Sequence, residues 1–510
     1  MHAASLVKDK SFATPTAVID VGSNSVRLVV YENAGRAPVP VFNEKVMVGL
    51  ARGLDKSGKL AKDSMESALT ALHRFVAITD TIGAGDIRAF ATSAVRDAKN
   101  GQDFTSAIKR ECGISVEIID GIEEARLAAL GVLSATPGAD GVMGDLGGGS
   151  LELVSLKDGK PKNFCSYPIG PLRLMDRTNN DRQKAKRLIK QAIKSVDWLA
   201  DMNGRSFYAV GGAWRLLARI HMDQKGYQPH IIHNYEISAD DGLRLLSLLG
   251  QLSMKTLKRV PGVTSERLNT LPYATYVMRR IIRESSVTNV VFSAYGIREG
   301  CNFDRLDKKI KKQDPLLAGC RNAAEQTGWS RANGDALAKW IMPTLPGKSK
   351  RIARLSKAAC NLAEIGRFEH PDYRAEMVFL RILRMTLVGL DHNDRSFLAL
   401  AVASRHSAKG TRLLKRHVSD PLSDEDIAAA RVIGLAMRLF YTMSGGAISW
   451  ADRTYLARKG KSLTLHLSED AQDLVGDQVI RRLKSLAKQL DCTAKIKSPS
   501  QKPAAKRASA

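Results

Sequence analysis

Through the first 310 residues, short apolar runs alternate with segments whose apolar positions recur every three or four residues. A half-buried strand has period two and an amphipathic helix period 3.6, so the chain reads as strands interleaved with helices. Strands are expected at 16–21, 26–32, 39–47, 86–91 and 115–120, with helices at 62–80 and 100–111. The series restarts with strands at 141–145, 151–156 and 161–167, a helix at 180–201, a strand at 206–210 and a helix at 213–222. Helices at 239–250 and 265–283 and a strand at 288–293 follow. This is an α/β pattern in two halves, 16–135 and 136–308. Beyond the basic run Lys308–Lys312 the periodicity becomes helical, at 316–326, 350–363, 372–388, 394–404, 424–441 and 472–488. That gives an all-α region over 309–494, between a loose leader at 1–15 and a basic disordered tail at 495–510.

Each α/β half opens on the same local pattern. Asp20-Val21-Gly22-Ser23-Asn24-Ser25-Val26-Arg27 reappears 125 residues later as Asp145-Leu146-Gly147-Gly148-Gly149-Ser150-Leu151-Glu152. An apolar run precedes each Asp and another follows each turn, so both copies read as strand, tight turn, strand. Two such hairpins can face each other across a cleft. Their turns offer backbone amides and hydroxyls to phosphate, and each Asp stands at a strand end, within reach of a metal ion. Arg27 and Glu152 hold equivalent places with opposite charge. Alone, either Asp reads equally well as a turn cap; the matched pair favours function.

The net charge changes the picture of the partner. The 78 basic and 52 acidic residues give +26. Residues 1–310 contribute +10 and residues 311–510, a shorter stretch, +16. Such a surplus favours a polyanion, although a merely basic surface accounts for it too. Six scattered cysteines (112, 165, 301, 320, 360 and 492), without a C-x-x-C, argue against a zinc site or disulfide framework. No apolar run approaches the roughly 20 residues of a membrane span, so a cytoplasmic protein is expected.

Other candidates cluster after strands. Glu123 and Glu124 open a helix beginning at Gly121. They suit the helix dipole, but a carboxylate beside a phosphate is also a general base. Neighbours on a helix point about 100° apart, so only one can serve. Thr92, Ser93 and Arg96 follow the strand 86–91, where α/β folds bind ligands. Gly211-Gly212 starts a helix after a strand, a weak phosphate seat. Gly296 and Gly300 read as packing glycines, with Arg298 and Glu299 between them as surface charges.

As an ordered set, the turns at Asp20–Ser25 and Asp145–Leu153 with 91–100, 121–127, Gly211-Gly212 and 296–300 resemble the exopolyphosphatase/guanosine pentaphosphate phosphatase family. The resemblance covers 16–310. It implies a duplicated actin-like, ribonuclease-H-like core with the active site between the halves. It implies Mg²⁺-assisted hydrolysis of the terminal phosphoanhydride of polyphosphate, with K⁺ as a candidate second ion. Glu124, directly before Ala125-Arg126, becomes the base and Glu152 the second catalytic carboxylate. Asp145, with Asp20 nearby, is expected to hold the metal. Ser23, Asn24, Ser25, Arg27, Arg96, Gly147, Gly148, Ser150 and Gly212 are expected on phosphate. The helical region resembles a degenerate HD domain, with Ala363 where a metal ligand would stand, and a homodimer is implied. The expected partner is polyphosphate, with a guanosine alarmone as alternative and no nucleic acid. The rival readings are a guanosine pentaphosphate phosphohydrolase, an actin-like kinase and a non-catalytic sensor of polyphosphate or alarmone.

Overall fold

The computed structural model describes residues 14–251, 268–347, 349–407 and 410–498. Most of the expected leader and tail, and the start of the helix expected at 265–283, lie outside the described residues. Two compact units divide after Pro315.

In the first unit, β1 (Thr16–Val21), β2 (Ser25–Tyr31), β3 (Pro40–Met47), β4 (Asp86–Ala91) and β5 (Val116–Ile118) form a sheet in the order β3-β2-β1-β4-β5. The second half repeats it. Strands β6 (Gly141–Leu146), β7 (Leu151–Lys157), β8 (Lys160–Tyr167), β9 (Ser206–Val210), β10 (Tyr235–Ser238) and β11 (Asn289–Phe292) run β10-β11-β9-β6-β7-β8. The antiparallel hairpins β1–β2 and β6–β7 correspond, as do the parallel pairs β1–β4 and β6–β9. Register places Asp20 opposite Arg27 and Asp145 opposite Glu152. The repeat seen in the sequence is therefore a repeat in space, with β10 added at one edge. That strand was not anticipated from periodicity. The helix expected at 180–201 also divides, into Arg182–Lys194 and a 3-10 turn at Asp197–Met202.

The helix Gly121–Ala135 lies between the sheets. It is apolar almost all round, as a helix buried on every side must be. Ala125, Leu127, Ala128, Ala129 and Val132 pack with Val18, Val29 and Phe90 of one sheet and Met143, Val154 and Tyr208 of the other. Asp120 caps it, accepting from the Glu123 amide at 2.7 Å. A second helix, Ile297–Asp304, crosses it at backbone contact. A Cβ on Gly300 would overlap the Leu127 carbonyl, and one on Gly131 would overlap the Gly296 carbonyl.

The second unit is built on helices, among them Arg331–Ile341, Lys350–Asn361, Arg374–Arg384, His392–His406, Asp424–Ser444 and Asp477–Gln489. It is not all-α. Strands β12 (Thr454–Lys459), β13 (Ser462–Leu467) and β14 (Thr493–Lys497) form a three-stranded sheet. Lys495–Lys497 are thus ordered in β14, against the expectation of tail. Within β12, Thr454 and Leu456 are buried and Tyr455 between them is exposed. Asp424–Ser444 is long and apolar enough to cross a bilayer by length and composition alone. Here Ile433, Met437 and Phe440 place it in the unit's core, and Gly434 seats it against the Ala401 carbonyl.

Gly300→Ala forces the two crossing helices apart. Its expected cost is about 1–3 kcal/mol of unfolding free energy, read as a lowered urea midpoint at constant slope. An unchanged midpoint would contradict the close crossing.

Candidate active site

The two repeated turns are built alike. In the first, the Gly22 amide donates to the Ser25 carbonyl at 3.0 Å; in the second, Gly147 donates to Ser150 at 3.0 Å. The remaining carbonyls are engaged from behind. Val48 and Gly49 donate to Asn24, Ala51 to Ser23, Leu172 to Gly148 and Gly170 to Gly149. Among the described residues, the amides of Ser23, Asn24, Gly148 and Gly149 find no acceptor. The turns also touch each other. A Cβ on Gly149 would stand 2.6 Å from Ser93 Oγ and 2.8 Å from Ser23 Oγ. Those two hydroxyls share a hydrogen bond of 2.8 Å.

The turns floor a cleft of about 570 Å³. It is lined by Asp20, Ser23, Asn24, Ser25, Arg27, Glu124, Asp145, Gly147, Gly148, Ser150, Glu152 and Gly212, so eleven candidates stand there beside Asp145. Of the residues expected on phosphate, Arg96 is the one that does not line it. Its Nη1 donates to Glu124 Oε2 at 3.2 Å and to the Ile119 carbonyl at 3.1 Å. Arg96 therefore stands against the Glu124 carboxylate. The buried Ser150 hydroxyl makes no hydrogen bond of good geometry.

The choice between Glu123 and Glu124 falls to long-range pairing. Arg126 holds both oxygens of Glu123 at 2.7 and 2.8 Å and both of Asp304 at 3.0 and 2.8 Å. Glu123 thus braces the two crossing helices, and Glu124 is turned into the cleft. Burial pushes the Glu124 carboxyl up to about 8; Arg96 opposes this, and Asp145 and Asp20 add to it. Burial likewise raises Asp145 to about 6 against Arg215 and Arg298. Glu152 is raised well above its ordinary value by burial, then by Glu124 and Asp145, while Ser166 donates to its Oε1 at 2.9 Å.

Sequence reasoning missed the cations facing these acids: Lys45, Arg215, Arg219 and Arg298 all line the cleft. Arg298 is no surface charge. Its Nη1 lies 2.9 Å from Asp20 Oδ2, and Glu299 caps its own helix by accepting from the Gly296 amide at 2.9 Å. Burial lowers Arg215 to about 10, helped by Arg298 and Arg27. Helical spacing was the available signal for Arg215, one turn after Gly212; strand pairing was the signal for Lys45, opposite Arg27 in register. Gly211 at φ 113° lets this backbone pass against the Leu146 carbonyl.

A divalent ion suits this chemistry. Among the described residues no three of His, Cys, Asp and Glu form a metal-holding group. Mg²⁺ needs only one or two carboxylates when substrate phosphates and water complete its shell. Asp145, whose ionised form is disfavoured by burial and by Asp20, is such a carboxylate. Asp20 has one oxygen on Arg298 and the other facing the Gly22 turn.

The sequence pattern of the Ppx/GppA phosphatase family matches residues 28–309, and that of the exopolyphosphatase C-terminal domain matches 339–496. Exopolyphosphatase 1 of Mycobacterium tuberculosis (strain H37Rv) is 28% identical over 307 residues, covering 57% of this chain and 88% of that protein. Retrograde regulation protein 2 of Saccharomyces cerevisiae is 27% identical over 436 residues, 76% of this chain and 72% of its own. The crystal structure of an exopolyphosphatase from Cytophaga hutchinsonii is similar at a TM-score of 0.51 and 26% identity, over 56% of this chain and 96% of that one.

The raised Asp145 predicts a pH-dependent cost. Its folded pKa lies above its unfolded value, so the folded state holds the proton longer, and stability is lost as pH rises from about 4 through about 6. Asp145→Asn removes that loss. In the absence of divalent ions the variant should be the more stable above pH 6, by about 3 kcal/mol, with the gap closing toward pH 4. Melting curves across that range check it; a gap independent of pH would refute the assignment.

Proposed function

This chain belongs to the Ppx/GppA phosphatase family, and we propose that it is an exopolyphosphatase, releasing orthophosphate from the ends of inorganic polyphosphate. The observation that carries this reading is the placement of Glu124. A buried carboxyl with its pKa near neutrality faces a cleft floored by unpaired amides and walled by arginines. A base is most effective when its pKa lies near the working pH.

The terminal phosphoryl group enters the cleft that the two turns floor. Amides of Ser23, Asn24 and Gly148, with the Ser150 hydroxyl, receive its oxygens. Arg27, Arg215 and Arg298 meet the following phosphates; a fork of parallel donors suits tetrahedral oxyanions. Mg²⁺, when bound at Asp145 with Asp20, supplies further neutralisation of phosphoryl charge. Glu124 takes a proton from a water as that water attacks the terminal phosphorus. The bridging P–O bond breaks, and orthophosphate and a polymer one unit shorter are the products. Glu152, also on the cleft wall, is held above its ordinary value by burial and by the charges of Glu124 and Asp145. The overall charge of +26 suits a long polyanion. The helical second unit fits a degenerate HD-like domain. Ala363 is buried in its core, and the neighbouring Glu364 is tied to Arg405 at 3.0 Å.

Phosphate release from long-chain polyphosphate with Mg²⁺ tests the reading. Glu124→Gln should lower kcat by about 10²–10⁴ with the fold retained. The wild-type rate should rise with pH as the Glu124 carboxyl ionises. Hydrolysis of guanosine pentaphosphate without action on polyphosphate would replace the substrate. Inertness toward both would overturn the catalytic reading.

A further inference from the structure

The exopolyphosphatase reading, on which the following rests, leaves three charged residues beside the cleft without a task. Arg173 belongs to the second half, in the helix Pro171–Thr178, and is 8% exposed. Its Nη2 lies 2.7 Å from Asp97 Oδ2 and its Nε 3.7 Å from Asp55 Oδ2, both in the first half. Asp97 Oδ1 accepts from Arg96 Nε at 3.3 Å, and Arg96 Nη1 donates to Glu124 at 3.2 Å. The row therefore alternates in sign, Arg173, Asp97, Arg96, Glu124. Of the four, Glu124 alone lines the cleft among the described residues.

The two acids compete for one guanidinium. Arg96 offers one nitrogen to Asp97 and another to Glu124, and neither contact is bidentate. An unneutralised Asp97 would draw the whole fork of Arg96 onto itself, because a two-point carboxylate pair is the stronger arrangement. Arg173 prevents this by occupying the other oxygen of Asp97. The same helix is fixed to the phosphate-facing turn, since Leu172 donates to the Gly148 carbonyl at 3.0 Å. Asp176 of that helix accepts from the Gly53 amide of the first half at 3.1 Å.

We infer that Arg173 is a positioning residue for Glu124, acting from the opposite half of the cleft through Asp97 and Arg96. The base is held in line only while the two halves are latched by the Arg173–Asp97 pair.

The test is a two-residue cycle in the full-length protein, read as kcat and KM for polyphosphate with Mg²⁺. Arg173→Gln should lower kcat by about tenfold to a hundredfold while KM stays near wild type, because the side chain meets no substrate. Asp97→Asn in that background should restore most of the lost kcat, since removing the unneutralised acid returns Arg96 to Glu124. Arg173→Lys, which keeps the charge without the fork, should fall between and guards against a folding failure of the glutamine variant. Additive losses in the double variant, a rise in KM at constant kcat, or no loss in Arg173→Gln would each overturn the inference. A crystal structure of Arg173→Gln separates it from the substrate reading. Arg96 turned onto Asp97 upholds the relay even if the wild type hydrolyses no polyphosphate, and Arg96 still on Glu124 refutes it even if the wild type does.

Discussion

Two glycine-rich turns meet so closely that no side chain fits between them. Gly149 touches the hydroxyls of Ser23 and Ser93, and Gly170 is packed against the Gly148 and Gly149 backbone behind. Everything else in the cleft depends on this approach. It brings two strand ends with their aspartates to one place, and it leaves amides with no internal acceptor. A larger residue at Gly149 would separate the turns, and the two halves would then present two weak anion seats rather than one enclosed pocket.

Enclosure has an electrostatic consequence. Carboxylates at 20, 124, 145 and 152 share one partly dry volume, and burial raises three of them above their ordinary range. Such a group is stable only among cations, and Arg27, Arg215 and Arg298 lie on the same walls. These arginines in turn repel each other, which depresses Arg27 and Arg215 after burial has done so. The site thus holds opposed charges at close quarters with neither set fully neutralised. Under the proposed function a polyanion with a divalent cation completes both sets together, so that the arrangement costs stability at rest and suits that ligand.

The duplicated hairpins, their strands and the capped helix at Gly121 were legible because each rests on local pattern: period two, a turn, an N-cap. The site residues on those turns were legible for the same reason. What escaped was set by distant partners. Glu123 and Glu124 are equivalent until Asp304, 178 residues away, claims Arg126. Arg298 reads as a surface charge until the glycines beside it allow the helix to cross another at backbone contact. The pairing of Arg96 with Glu124, 28 residues on, likewise has no local signal. The sheet of the second unit was hidden by the lysines and arginine interspersed along its strands.

The helix Gly121–Ala135 is the element on which these levels meet. Its apolar surround makes it a wedge between the sheets, so its first turn cannot move without repacking both cores. Glycine contacts fix its distance from the helix Ile297–Asp304, and Arg126 fixes their rotation through two bidentate pairs. Glu124 therefore has little freedom except at its own side-chain torsions, and the charge of Arg96 sets those. A carboxylate so held owes its backbone position to packing and its orientation to a single guanidinium. Core substitutions along this helix should then act on rate mainly through stability. Changes in the charged row beside it should act on rate directly.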